Sequence, residues 1–95
     1  MRIEFIVCPA DIEDKLEWKH NLTAYEARQV LVNKPRFRYT EKGFLPGDDV
    51  YGAFGQTYAG RYVVVYFVYK PDNKTAIIIS GRDMTPAERR SYGRK

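Results

Sequence analysis

Residues 50–80, VYGAFGQTYAGRYVVVYFVYKPDNKTAIIIS, decide the fold class of this 95-residue chain. Two turn signals, Ala59-Gly60 and Pro71-Asp72-Asn73, divide the stretch into three runs rich in β-branched and aromatic residues. The runs predict strands over residues 50–58, 61–69 and 75–80. Connections this short join antiparallel neighbours, so the three form a meander. Just upstream, residues 36–41 (RFRYTE) alternate Arg36, Arg38 and Thr40 against Phe37 and Tyr39, the period of a half-buried strand. Residues 43–49 (GFLPGDD) carry the Gly and Pro of a loop.

Working outward, residues 2–8 (RIEFIVC) set Ile3, Phe5 and Val7 against Arg2 and Glu4, a further strand closed by Pro9. The period then changes. Ile12, Leu16 and His20 recur every fourth residue, which puts them on one stripe of a helix over residues 10–20. Thr23 with Glu26 three residues later is a capping box. It opens a second helix whose buried stripe is Ala24, Ala27, Val30 and Leu31 and which stops at Lys34-Pro35. Thr85-Pro86-Ala87-Glu88 repeats the start signal, with proline at the first helical position, and opens a short basic helix over residues 86–92. The order β-α-α-β-β-β(-β)-α describes one α+β domain over residues 1–95, with helices packed on one face of a mainly antiparallel sheet.

Composition narrows the function classes. There is one cysteine and one histidine, so neither an internal disulfide nor a tetrahedral Cys/His zinc site can be assembled, which fits a reducing compartment. No apolar run approaches the ~20 residues that span a bilayer, and the N-terminal run Phe5 to Cys8 is too short for the h-region of a signal peptide. A cytoplasmic protein without a membrane partner is expected. The net charge of +4 is unevenly spread: residues 1–35 carry −1, residues 36–81 carry +2 and residues 82–95 carry +3.

The candidate chemistry is therefore cationic. Arg36 and Arg38 share one side of a strand, Arg61 opens the central strand, Arg82 follows the last one, and Arg89, Arg90, Arg94 and Lys95 crowd the terminal helix. Guanidinium forks match phosphates bidentately, which makes RNA or DNA the natural partner, and eight tyrosines offer stacking surfaces. The competing reading is that these arginines only solvate a sheet face and a helix, and Tyr62, Tyr66 and Tyr69 read as packing residues. Cys8 reads as a small buried side chain. His20 reads either as a packed residue at a helix end or as a base. Asp48-Asp49 reads as a solvent-facing pair rather than a metal site. Metal-free cleavage of RNA needs a group to take the 2′-hydroxyl proton, a cation for the charge growing on the phosphoryl oxygens, and a proton for the leaving 5′-oxygen. Arg61 and Arg82 suit the second task; His20, Glu88, Lys19 and Tyr92 are candidates for the others.

Lys19-His20-Asn21-Leu22-Thr23 with Glu26-Ala27 resembles the K-H-G-[VI]-[ST]-x-x-E-A segment of BrnT-type toxins. Ile79-Ser80-Gly81-Arg82, followed by Thr85, Glu88-Arg89-Arg90 and Tyr92, resembles their I-S-A-R-x-x-T-x-x-E-R-x-x-Y ending, and Gly60-Arg61 before a Val-rich strand fits between them. The resemblance implies a RelE-like fold and the toxin of a type II toxin–antitoxin pair, a metal-independent endoribonuclease that arrests translation. It further implies a small cognate antitoxin of ribbon-helix-helix type and a possible 2:2 assembly. No cofactor is implied. Carried over by position and joined to the residue reading, the catalytic expectation falls on Arg61, Arg82, His20 and Glu88, and RNA contact on Lys19, Arg36, Arg38 and Arg89. The chain departs from the family pattern at Cys8-Pro9, where an aromatic–acid pair is usual, at Ile12 and Leu16, where the family has Lys and Asn, and at Asn21, where it has glycine. Those departures define the alternative expectation, a toxin-like module that binds an antitoxin-like partner or nucleic acid without cutting it.

Overall fold

A computed structural model describes residues 1–41 and 48–93; most of the loop expected over 43–49 lies outside them, as do Arg94 and Lys95. The described chain is α+β. Its elements are β1 (Phe5–Val7), α1 (Ala10–His20), α2 (Ala24–Val32), β2 (Arg36–Glu41), β3 (Val50–Gln56), β4 (Tyr62–Lys70), β5 (Thr75–Asp83) and α3 (Pro86–Gly93). The five strands form one sheet in the order β1-β5-β4-β3-β2, antiparallel except for the parallel β1–β5 pair.

Local chemistry explains the elements. The Thr23–Glu26 capping box is present in both directions: the Glu26 amide donates to Thr23 Oγ1 at 3.0 Å and the Thr23 amide donates to Glu26 Oε1 at 3.0 Å. α1 ends at Asn21, whose backbone is left-handed (φ 49°), a conformation that asparagine tolerates better than most residues. The β3–β4 turn closes with the Gly60 amide on the Thr57 carbonyl at 2.9 Å, and φ +95° at Gly60 requires glycine there.

β4 is buried on both faces, and this divides the core in two. Val63, Val65 and Phe67 pack with Leu16, Leu22, Ala27, Val30 and Leu31 beneath α1 and α2. Val64, with Tyr62 and Tyr66 beside it, packs with Phe54, Met84 and Tyr92 beneath α3. The expectation that all helices share one face is thus corrected. α3 lies opposite α1 and α2, because successive residues of YVVVY point to opposite sides and both sides are apolar.

β5 also exceeds its expected end at Ser80 by three residues, and its register shifts between the Tyr66–Ser80 and Phe67–Ile78 pairs. Ile79 is the extra residue of a bulge. Before it, Ala76 and Ile78 face α1 and α2. Unbroken alternation would send Ser80 and Arg82 the same way. The bulge reverses the phase: Gly81 turns under Leu22 and Leu16, and Arg82, paired with Val64, turns to the α3 face.

Arg61 stays on the α1–α2 side. Its Nη1 and Nη2 donate to the Asn21 and His20 carbonyls at 2.7 and 2.8 Å, its Nε donates to Asp83 Oδ1 at 2.7 Å, and Glu26 Oε2 is 3.5 Å from Nη1. A cation at the carbonyl end of α1 satisfies groups that no turn of helix can. Replacing Arg61 by Met keeps the stem and removes the charged hydrogen bonds. At ~1–2 kcal/mol net for such partly exposed bonds, the thermal midpoint is expected to fall by roughly 5–10 °C. An unchanged midpoint would show that the clamp contributes nothing to stability.

Candidate nucleic-acid interface

The register of β2 to β5 sets two rows of residues on the α3 side of the sheet. One row is Arg36, Phe54, Val64 and Arg82; the next is Arg38, Gly52, Tyr66 and Ser80. Directly opposed residues in antiparallel strands share a face, so three arginines and two aromatic rings meet there. Gly52 keeps the floor open: a Cβ at this position would come within 3.2 Å of both the Phe54 and the Tyr66 rings. The Arg38 guanidinium lies 5.8 Å from the centroid of Phe54 and that of Arg82 lies 5.7 Å from the centroid of Tyr66, both within cation–π reach. A cavity of about 500 Å³ opens between this surface and α3, with Arg36, Arg38, Phe54, Glu88, Ser91 and Tyr92 among its walls.

Arg82 is the most constrained of the three arginines. Its fork donates to Glu88 Oε1 and Oε2 at 2.7 and 3.0 Å, Nη2 also donates to the Tyr66 hydroxyl at 2.9 Å, and Nη1 to the Asp83 carbonyl at 3.1 Å. Glu88 Oε1 accepts from the Thr85 amide at 2.8 Å as well, and the Glu88 amide donates to Thr85 Oγ1 at 3.2 Å, so one carboxylate both starts α3 and holds Arg82. The Arg82 hydrogen bonds and the Thr85 amide pull the Glu88 carboxyl down to about 2, and the same pairing raises Arg82. Arg36 and Arg38 are exposed and have no carboxylate partner among the described residues.

The remaining expected site residues lie elsewhere. Arg61 is on the opposite face, engaged with α1 and Asp83, so Arg61 and Arg82, expected to share one task, lie apart: Arg61 stands just before β4 in the odd-numbered phase that faces α1 and α2. Arg89, exposed on α3, lies over β4, its guanidinium 4.1 Å from the centroid of Tyr62. Lys19 and His20 lie near the end of α1, exposed and half-buried respectively. The Cys8 thiol is half-buried and pushed up, first by burial and then by Glu13, which disfavours the thiolate a nucleophile would need. Asp48 pairs with Lys70. Among the described residues no three His, Cys, Asp or Glu side chains gather as metal ligands, and no helix is long and apolar enough to cross a membrane.

Four contributors were not anticipated: Phe54, Tyr66, Gly52 and Ser91. For Tyr66 the signal existed in the alternation of 62, 64 and 66, but its use depends on where α3 lies. Compared with known proteins, the sequence matches no protein-family model and no curated protein.

The depressed Glu88 pKa carries a testable sign. A carboxylate held near 2 in the folded chain against an ordinary value of 4.5 adds stability that is complete above about pH 4.5 and is lost as pH falls towards 2. Glu88→Gln is therefore expected to flatten the acid-side decline of the thermal midpoint, leaving only the smaller decline from groups such as Asp83, which Arg61 also holds down. Equal steepness in both proteins would refute the pairing in solution.

Proposed function

We propose that this protein is an RNA-cleaving toxin of the BrnT type, with a RelE-like fold, acting in the cytoplasm without a metal and neutralised by a small ribbon-helix-helix antitoxin, in a possible 2:2 assembly. The observation that supports it is the convergence of Arg36, Arg38, Arg82, Tyr66, Phe54 and Glu88 on one face. Exposed guanidinium groups beside aromatic rings suit a single strand of RNA, whose phosphates take the cations while its bases stack.

The chemistry asked of such a face is modest. The 2′-oxygen attacks phosphorus and the bond to the 5′-oxygen breaks. Arg82 stabilises the charge on the phosphoryl oxygens, Glu88 takes the 2′-hydroxyl proton, and the Tyr66 phenol gives a proton to the departing oxygen. A carboxyl near 2 is a poor base, yet an entering phosphate competes for the Arg82 fork. Glu88 without its guanidinium, and beside a second anion, rises towards the range a base requires. In this scheme Arg61 secures the fold rather than the reaction.

The binding module is the second reading, and two observations favour it: His20 is not with Arg82, and Glu88 is tied into both a helix cap and an ion pair. Incubation of the protein with single-stranded and structured RNA in EDTA separates the two. The toxin reading expects cleavage that persists under chelation and falls about 10²-fold or more in Arg82→Ala. Intact RNA at high protein excess, with binding retained, overturns cleavage and leaves the module.

The basic face has its own test. For a single strand the logarithm of affinity falls with the logarithm of salt by about 0.7 for each phosphate neutralised, so replacing Arg36 and Arg38 together by Gln should reduce the slope by about 1.4. A slope unchanged by the double substitution would remove both arginines from the interface.

A further inference from the structure

The row Arg38, Gly52, Tyr66 and Ser80 does not stop at the edge of the sheet. β1 pairs with β5 only at Thr75, Ala76 and Ile77, so beyond the bulge no described strand lies outside β5. α1 lies along it instead. At this junction a cavity of about 120 Å³ is walled by Ile79 and Ser80 from β5 and by Ile12, Lys15, Leu16, Lys19 and His20 from α1. Lys15 and Lys19 are one helical turn apart, exposed, and without a carboxylate partner among the described residues. Ser80 belongs to both settings, as the row neighbour of Tyr66 and as a wall of the α1 cavity. It is small, neutral and exposed, so it sets neither charge nor bulk of its own between them.

We propose that the RNA interface continues around this edge: a single strand runs perpendicular to the β-strands, from Arg38 over Tyr66 and past Ser80, and sets a further phosphate on Lys15, Lys19 and His20. The proposal rests on the RNA reading above and adds a direction, a length and a second cationic subsite. Three strand spacings separate Arg38 from Ser80, roughly 14 Å, and the α1 cavity extends the path by about one more spacing. That span accommodates about four nucleotides. At about 120 Å³ the cavity is too small to enclose a nucleotide, so the strand sets its phosphate on the basic rim and leaves sugar and base outside, against the exposed Ile79.

The test uses 2′-O-methyl oligoadenylates of two to eight nucleotides, which cannot be cut because the attacking oxygen is blocked. With the intact protein, affinity should climb at least tenfold from the dinucleotide to the tetranucleotide or pentanucleotide and then level off. In the double variant Lys15→Gln, Lys19→Gln that climb should shrink to threefold or less, and the salt slope for the hexanucleotide should fall by about 1.4. Ser80→Glu, which places a carboxylate in the passage without touching either lysine, should reduce the climb in the same way. A climb unchanged in both variants overturns the path around the edge while leaving the Arg36–Arg38–Arg82 face intact. Failure of the unaltered protein to bind any of the oligonucleotides overturns both.

Discussion

Ile79, one residue more than β4 has on its side of the ladder, determines how the end of the chain is used. Alternation has period two, so a single insertion exchanges the faces for everything after it. Gly81 thereby comes to lie under Leu16 and Leu22, where a Cβ would approach Leu22 to 3.1 Å and only a residue without a side chain sits comfortably. Arg82, one position on, gains Tyr66 and Glu88 as partners. Without the bulge the guanidinium would point into a core built of Leu, Val and Ile, where its desolvation would have nothing to offset it.

The two arginines at neighbouring strand ends illustrate how the same side chain serves opposite ends. Arg61 spends its donors on backbone carbonyls and Asp83 and so joins α1, α2 and β5 at one corner. A phosphate could take it only by uncovering the end of α1. Arg82 is held by side chains alone apart from one bond to the Asp83 carbonyl, and a phosphate can replace the Glu88 carboxylate oxygen for oxygen. The geometry of the fork is the same in both cases; what differs is whether its partners can yield.

Much of this was legible in the sequence because it rests on local chemistry. Thr23 with Glu26, Thr85 with Glu88, the turn at Gly60 and the phase that pairs Arg36 with Arg38 depend on residues a few positions apart, and each is realised. What was not legible depends on distant partners. Nothing in TAIIISGRD marks which isoleucine is the bulge, since that depends on how β4 and β5 align around α1. The opposite placement of α3 left a trace in the unbroken apolar run of β4, which a sheet covered on one side only would not need. Read that way, Tyr66 and Phe54 become members of a second apolar face, and Arg82 joins them only once the bulge is known.

The position of Glu88 is the least expected feature of a surface suited to polyanions, because a carboxylate there weakens every phosphate contact nearby. Capping alone does not require it, since Gln also completes a capping box and brings no charge. Nor does orientation of Arg82 alone, for the Tyr66 hydroxyl and the Asp83 carbonyl already fix two of its donors. A carboxylate is distinguished from these neutral alternatives by its ability to accept a proton. Its pairing with Arg82 keeps that ability low, and on the proposed reading a phosphate that drew the cation away would restore it. On a purely binding surface the charge would weaken nearby phosphate contacts, and its return would be confined to the stability of the Arg82 pair. On the proposed cleavage reading this acid is the group that would move the proton, and because the same residue starts α3 it would be held on a rigid element rather than on a loop.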